Sequence, residues 1–215
     1  MLYKIVDFLT YVPFVRICNK LFIKKATGVA NLPEQKGFIL AANHNSYLDI
    51  ILMSTVMFLK RNIIIKYLGK KELFTNQISK WYFFSMGQIP IDRKLGPKHS
   101  LEKAVRVLKK GDVVGIYPEG TRSLTGKIQK GKTGVARLAL WAKVPVVPVG
   151  IIGTFEILPR GRVIPKFKKN IIISIGKPIY FDKFYKRKIT KKLLRQITEI
   201  VMKEIAKLSG QRYNL

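Results

Sequence analysis

Beyond residue 25 the chain alternates short apolar runs with segments whose apolar residues recur at helical spacing. Gly37–Asn43 reads as a buried strand, and Ile50–Leu59 continues it as a helix. Asn62–Lys66, Gln88–Asp92 and Asp112–Tyr117 read as further strands, and Leu101, Ala104, Val105 and Leu108 fall on one face of a helix between the last two. Gly134–Ala142 reads as helix, and Val144–Gly150 and Asn170–Ile175 return to the sheet. Ile189, Leu193, Ile197, Ile200, Val201, Ile205 and Leu208 outline a long amphipathic C-terminal helix, with Lys191, Lys192, Arg195 and Lys203 facing out. Strands alternating with helices predict an α/β domain. The chain carries no internal repeat and no linker long enough to divide residues 26–215.

The first 25 residues follow a different pattern. Leu, Ile, Val, Phe and Tyr are mixed there with a basic fringe of Lys20, Lys24 and Lys25. A helix to Tyr11, a break at Pro13 and a second helix to Lys25 would form an amphipathic hairpin suited to a phosphate-rich lipid surface. An ordinary pair of helices packed on the core is the competing expectation. Asp7, Pro13 and Arg16 interrupt the apolar stretches, so they do not read as a secretory signal. No segment reads as a bilayer-spanning helix, which needs about 20 mostly apolar residues.

Charge adds a constraint. The 215 residues include 41 Lys and Arg against 12 Asp and Glu, a net charge of +29. Such a surface seeks a polyanion, either nucleic acid or an anionic lipid leaflet, unless the excess is only a solvated face rich in lysine. With 47% hydrophobic residues the chain can build one sizeable core. Its single cysteine, Cys18, excludes an internal disulfide and fits a reducing compartment. Two histidines, one reading as a surface residue, cannot supply a zinc site.

That surface residue is His99, in Gly96-Pro-Lys-His-Ser100 at the start of a helix. His44 instead emerges at the end of a predicted strand, where open α/β sheets place ligand sites. Ser46-Tyr-Leu-Asp49 has capping-box form, with Ser46 as N-cap and Asp49 at the third helical position. The same turn would fold Asp49 back toward His44, where a carboxylate fixes the imidazole tautomer and stabilises the imidazolium. Taken alone, Asp49 could be a cap or a catalytic partner. Two more polar clusters sit at strand exits: Tyr117-Pro-Glu-Gly-Thr-Arg-Ser123, followed by Lys127, Lys130 and Lys132, and Gly87-Gln-Ile-Pro-Ile-Asp-Arg93. Guanidinium and hydroxyl groups in such loops suit a phosphate or polyol ligand.

The order Asn43–Asp49, Gly87–Arg93, Tyr117–Ser123 and Val144–Val149 resembles the four motifs of the glycerolipid acyltransferases, in particular the bacterial 1-acyl-sn-glycerol-3-phosphate acyltransferases. A lone His-x4-Asp arises readily by chance; four blocks in the family's order do not. The resemblance covers roughly half of the 215 residues. It implies a mixed, largely parallel sheet flanked by helices. It also implies that His44 is a general base with Asp49 as its partner. Arg93, Glu119, Gly120, Thr121 and Arg122 would bind the acceptor phosphate. Gly69-Lys-Lys-Glu-Leu73 resembles a segment whose lysine lies near the reacting carbonyl, making Lys70 an oxyanion candidate beside backbone around Gly131. Asn45, Pro90 and Tyr117 depart from the commonest family residues, and Pro90 leaves the shape of the acceptor pocket open.

The implied reaction transfers an acyl chain from a thioester to the sn-2 hydroxyl of 1-acylglycerol-3-phosphate. Direct transfer is favoured over an acyl-enzyme, because Cys18 lies away from the motifs and Ser46 serves as a cap. No cofactor is expected beyond the donor substrate, acyl-CoA or acyl-carrier protein. Glycerol-3-phosphate and other lysophospholipids remain alternative acceptors. Trp81–Phe84 and Ile50–Phe58 could line an acyl groove or simply be core. The expected place of work is the cytoplasmic face of the cell membrane, peripheral or monotopic, on an anionic surface. A basic nucleic-acid-binding protein would explain the charge but not the motifs, and no nucleic-acid partner is expected. An inactive membrane adaptor would not need the His44–Asp49 pair.

Overall fold

The computed structural model describes residues 2–34, 37–85, 87–92, 94 and 96–214, with the side chains of 2–11, 70, 78, 81, 82, 85 and 97 outside the description. Seven strands form one sheet in the order β1-β7-β6-β2-β5-β3-β4. These are β1 (Ile23–Thr27), β2 (Phe38–Ala42), β3 (Ile65–Lys70), β4 (Gln88–Ile91), β5 (Val113–Ile116), β6 (Val146–Ile152) and β7 (Ile171–Ile175). Strands β2 to β6 run parallel, β7 pairs antiparallel with β6, and β1 pairs parallel with β7. The sheet is therefore mixed and largely parallel. The C-terminal ends of β2, β3, β4, β5 and β6 share one edge, and β7 and β1 begin at that same edge.

Strand β2 sits between β6 and β5 with all five residues buried. An apolar run without alternation is what a strand covered on both faces requires. Ile39 and Ala41 face a core shared with α4 (Gly96–Lys109), α5 (Gly134–Ala142) and α7 (Lys191–Leu208). Phe38, Leu40 and Ala42 face the opposite core, with α1 (Leu2–Phe22) and α2 (Leu48–Arg61). Each fully buried aliphatic side chain contributes about 1.5–3 kcal/mol, so this strand anchors both layers. Two shorter helices, α3 (Gln77–Ser85) and α6 (Thr154–Ile157), complete the connections.

The N-terminal segment differs from the expected hairpin. One helix runs from Leu2 to Phe22 with Pro13 inside it. An interior proline costs about 3 kcal/mol, but Val12, Val15, Cys18 and Phe22 are buried on one side of the helix, which packs on α2. Phe14, Ile17 and Leu21 form a second stripe that remains exposed. Over its described side chains the helix is apolar on two faces, one covered and one open. Ile23–Thr27 then leaves the helix to pair with β7, Ile23 opposite Ile171. The boundary expected at residue 25 therefore falls inside a strand of the main sheet.

Strand β3 also starts later than its sequence suggests. Asn62 adopts φ 53° and its N–H donates to the Phe58 carbonyl at 2.9 Å, which makes it the C-cap of α2 rather than a strand residue.

Candidate active site

His44 leaves the central strand through a backbone turn fixed on three sides. Before it, Asn43 is buried, and its amide exchanges two bonds of 2.8 Å with the backbone of Ile151, continuing the β2–β6 ladder by a side chain. The His44 N–H donates to Glu119 Oε1 at 2.8 Å, and its carbonyl accepts from the Ser123 N–H at 2.8 Å. The loop after β5 thus grips both backbone groups of His44.

The side chain is fixed as firmly. His44 Nδ1 lies 2.8 Å from Asp49 Oδ2, with the histidine side chain 13% exposed and the aspartate 0% exposed. The same oxygen accepts the Asn45 N–H at 2.6 Å and the Ser46 N–H at 2.7 Å. A carboxylate that collects N–H donors holds the proton on Nδ1 and leaves the Nε2 lone pair for chemistry. Ser46 Oγ accepts the Leu48 N–H at 3.1 Å and donates to the Leu158 carbonyl at 2.7 Å. The helix begins one residue later than the sequence suggests, with Tyr47 rather than Ser46 at its N-cap. Yet cap and imidazole partner, alternatives on sequence alone, are one residue: with a single oxygen Asp49 accepts the Ser46 N–H ahead of the helix and orients His44.

An aromatic wall backs the imidazole. The Tyr117 ring stacks on His44 with centroids 4.0 Å apart, and Tyr67 lies parallel beyond it at 6.2 Å. Gly115 makes room, because a Cβ there would stand 2.2 Å from Tyr67 Cε1. Burial raises the Tyr117 hydroxyl pKa well above its usual value, and Tyr67 and the Asp49 carboxylate push it the same way. The phenol is therefore neutral and acts as an apolar plate.

The loop from Tyr117 to Ser123 divides its labour. Glu119 is buried; besides the His44 N–H, its other oxygen accepts the Gln129 backbone N–H at 2.9 Å and the Gln129 side-chain amide at 3.2 Å. Burial raises its pKa against the pull of those N–H groups. A carboxylate so placed is a strut between two loops; expected at the acceptor phosphate, it turns inward instead. Gly120 at φ 74° turns the chain, with Lys132 Nζ 3.0 Å from where a Cβ would stand. Thr121 is exposed and its carbonyl accepts from Gln129 at 3.3 Å. The Arg122 guanidinium lies over the exposed Tyr47 ring, 3.5 Å from its centroid, a cation–π contact that holds the fork at the mouth of the site.

Two further candidates fall differently. The Gly131 N–H donates to the Tyr213 hydroxyl at 3.2 Å and its carbonyl accepts from Arg195 at 2.7 Å. The residue is packed under α7, where a Cβ would meet Met202 Cγ at 2.6 Å, so its N–H is spent and it is not an oxyanion donor. Lys70 ends β3 opposite Ile91, on the same edge as His44, but its side chain lies outside the described residues, as does Arg93 altogether. Asn43, Tyr47, Tyr117 and Gln129 carry parts of this geometry that their residue types alone do not announce.

A strand-exit His–Asp pair beside an arginine-bearing loop, on a mixed α/β sheet, has the arrangement that general-base catalysis requires. Residues 24–152 match the family model Acyltransferase, and the chain belongs to that family. It is 30% identical over 184 residues to the 1-acyl-sn-glycerol-3-phosphate acyltransferase of Bacillus subtilis, covering 84% of this chain and 85% of that protein. It is 32% identical over 160 residues to the chloroplastic 1-acyl-sn-glycerol-3-phosphate acyltransferase BAT2 of Brassica napus, covering 73% of this chain but only 45% of that longer protein. The crystal structure of the 1-acyl-sn-glycerophosphate (LPA) acyltransferase PlsC from Thermotoga maritima superposes with a TM-score of 0.71 at 26% identity, over 99% of this chain and 81% of that one.

Proposed function

We propose that the protein transfers an acyl chain from a thioester to the sn-2 hydroxyl of 1-acylglycerol-3-phosphate, giving phosphatidic acid. The observation that carries this reading is the 2.8 Å contact between His44 Nδ1 and the fully buried Asp49. His44 Nε2 takes the hydroxyl proton as that oxygen attacks the thioester carbonyl. The tetrahedral intermediate collapses by breaking the C–S bond, and the departing thiolate takes a proton from the imidazolium. A positioned base of this kind contributes about 10²–10⁴-fold, and a thiolate leaves without further acid catalysis. Lys70 is the remaining oxyanion candidate. Arg122, with Thr121 and Arg93, is proposed to hold the acceptor phosphate, and the Lys132 side chain lies against the Gly120 turn. No cofactor beyond acyl-CoA or acyl-carrier protein is invoked.

Among the described residues no helix is long and apolar enough to cross a membrane. The proposed seat is the cytoplasmic leaflet, reached by the open stripe of α1 and by the basic surface, since the acceptor is itself a membrane lipid. The test is release of free thiol from acyl-CoA and from acyl-carrier protein, with 1-acylglycerol-3-phosphate, glycerol-3-phosphate and other lysophospholipids as acceptors. Transfer to the first acceptor, lost in His44→Ala, is expected; transfer only to another acceptor would move the assignment to that lipid. Arg122→Lys should raise the KM for the phosphate-bearing acceptor far more than that for the donor, because a guanidinium fork and its seat on Tyr47 are lost together.

A further inference from the structure

We infer that the connection between α6 and β7, residues 159–170, is a second membrane-contacting element that takes anionic lipid headgroups beside the catalytic edge. The segment carries Arg160, Arg162, Lys166, Lys168 and Lys169 and no acidic residue. At its turn stand Val163, Ile164 and Phe167, 88%, 76% and 75% exposed. Apolar side chains so exposed within a wholly basic segment match the chemistry of a bilayer interface, where aliphatic and aromatic groups enter the acyl boundary and cations meet phosphates.

The segment is held in place. The Arg162 N–H donates to the Pro159 carbonyl at 3.2 Å, and the Lys166 N–H donates to the Ile157 carbonyl at 3.0 Å. The backbone thus presents Val163 and Ile164 outward by construction. Its position relative to the chemistry is equally fixed. Just before it, the Leu158 carbonyl accepts from Ser46 Oγ, two residues after His44. At its far end β7 begins at the catalytic edge, where Ile171 pairs with Ile23. Phe167 stacks on Phe22 at 6.0 Å, which joins the segment to the C-terminal end of α1. The exposed stripe Phe14, Ile17, Leu21 and the loop 159–170 therefore flank the edge that carries His44. Two contacts on one rim fix the orientation of the sheet on a surface, which a single helix leaves free to roll.

The partner, a lipid surface, rests on the acyltransferase reading; the measurement does not. The full chain is mixed with vesicles of phosphatidylcholine alone or with equal phosphatidylglycerol, at low salt and at about 1 M salt, where the Debye length is about 3 Å. Arg160→Gln/Arg162→Gln/Lys166→Gln should weaken partition onto the anionic vesicles at low salt by about fivefold per residue and change little at high salt. Val163→Asp/Ile164→Asp should weaken it about tenfold or more at both salts. Thermal unfolding of both variants should match wild type, since the altered side chains are exposed. Bimane attached to an Ile164→Cys variant, with Cys18 buried, should shift blue on anionic vesicles and be quenched by spin-labelled lipid. Unchanged partition of the aspartate variant, or a label that stays in water, overturns the inference. So does a dimer in sedimentation velocity that this variant dissolves, which would give the patch to a second copy. Acyl transfer to detergent-dispersed acceptor should survive in both variants; a wild type inactive on every acceptor would sink the acyltransferase reading and leave the vesicle result to judge the loop.

Discussion

Asp49→Asn separates the two duties that one oxygen performs. Three N–H groups converge on Oδ2, from His44, Asn45 and Ser46, while Oδ1 is buried without a hydrogen-bond partner. A carboxamide can keep its oxygen at the Oδ2 position only by placing its NH2 in that partnerless pocket. Turned over, it would point NH2 at three donors, so the first orientation wins. Each bond then passes from charge-assisted to neutral, a loss of about 1 kcal/mol apiece, and the buried NH2 costs about 1–3 more. No longer burying a carboxylate offsets part of this. A net loss of about 1–4 kcal/mol should lower the melting temperature yet leave the domain folded at 25 °C. The rate should fall much further, because the imidazolium formed in the transition state loses its counter-charge; we expect kcat to drop about 10²–10⁴-fold with KM nearly unchanged. Thiol release gives the rate, and thermal unfolding the stability. Ser46→Ala is the control, since it removes the bonds to Leu48 and Leu158 but not the imidazole contact. It should cost about 1–2 kcal/mol and leave kcat close to wild type. If Asp49→Asn kept more than about a tenth of kcat while stability fell as described, Asp49 would be a cap and nothing else.

Glu119→Gln should destabilise by about 1–3 kcal/mol, because one amide cannot accept from both His44 and Gln129 backbone N–H groups; equal unfolding midpoints in urea would remove its role as a strut. Gly131→Ala should cost about 1–3 kcal/mol through overpacking against Met202 yet keep kcat within about twofold at 25 °C. A collapse of kcat in folded protein would return that N–H to the chemistry. Burial raises the Cys18 thiol pKa, so a maleimide at pH 8 should react at least about tenfold slower than with free cysteine, and faster as urea opens α1 from α2. Reaction at the rate of an open thiol would contradict the packing of that helix.

Strands β2, β5, β6 and β7 could be read from their apolar runs, as could α4 and α7 from their periodicity, because in each case the buried positions are set by local alternation or spacing. Strand β1 could not. Ile-Lys-Lys-Ala-Thr has no period of its own, and only the edge of β7 makes it a strand. Pro13 misled for the related reason that packing on α2 outweighs a local breaker. In the site, His44, Asp49 and the Tyr117–Ser123 loop stood out because strand exits gather polar groups. What sequence could not convey is direction. Glu119 and Arg122 are three residues apart, yet one is clasped inward by backbone donors and the other lies on an exposed ring. Gly131 looked like a backbone donor near the loops, but its N–H is claimed by Tyr213, 82 residues away.

The bonds that hold His44 also fix when it can become active. Asn43 reaches Ile151 across 108 residues, His44 reaches Glu119 across 75, and Ser46 reaches Leu158 across 112. Contacts so far apart in sequence close large loops and are slow to form. The full set of bonds around the turn after β2 therefore closes only when residue 158 is available to meet it. Recovery of activity on refolding should track the last phase of assembly, well after helical signal has returned, so the turnover rate is itself a reporter of complete folding.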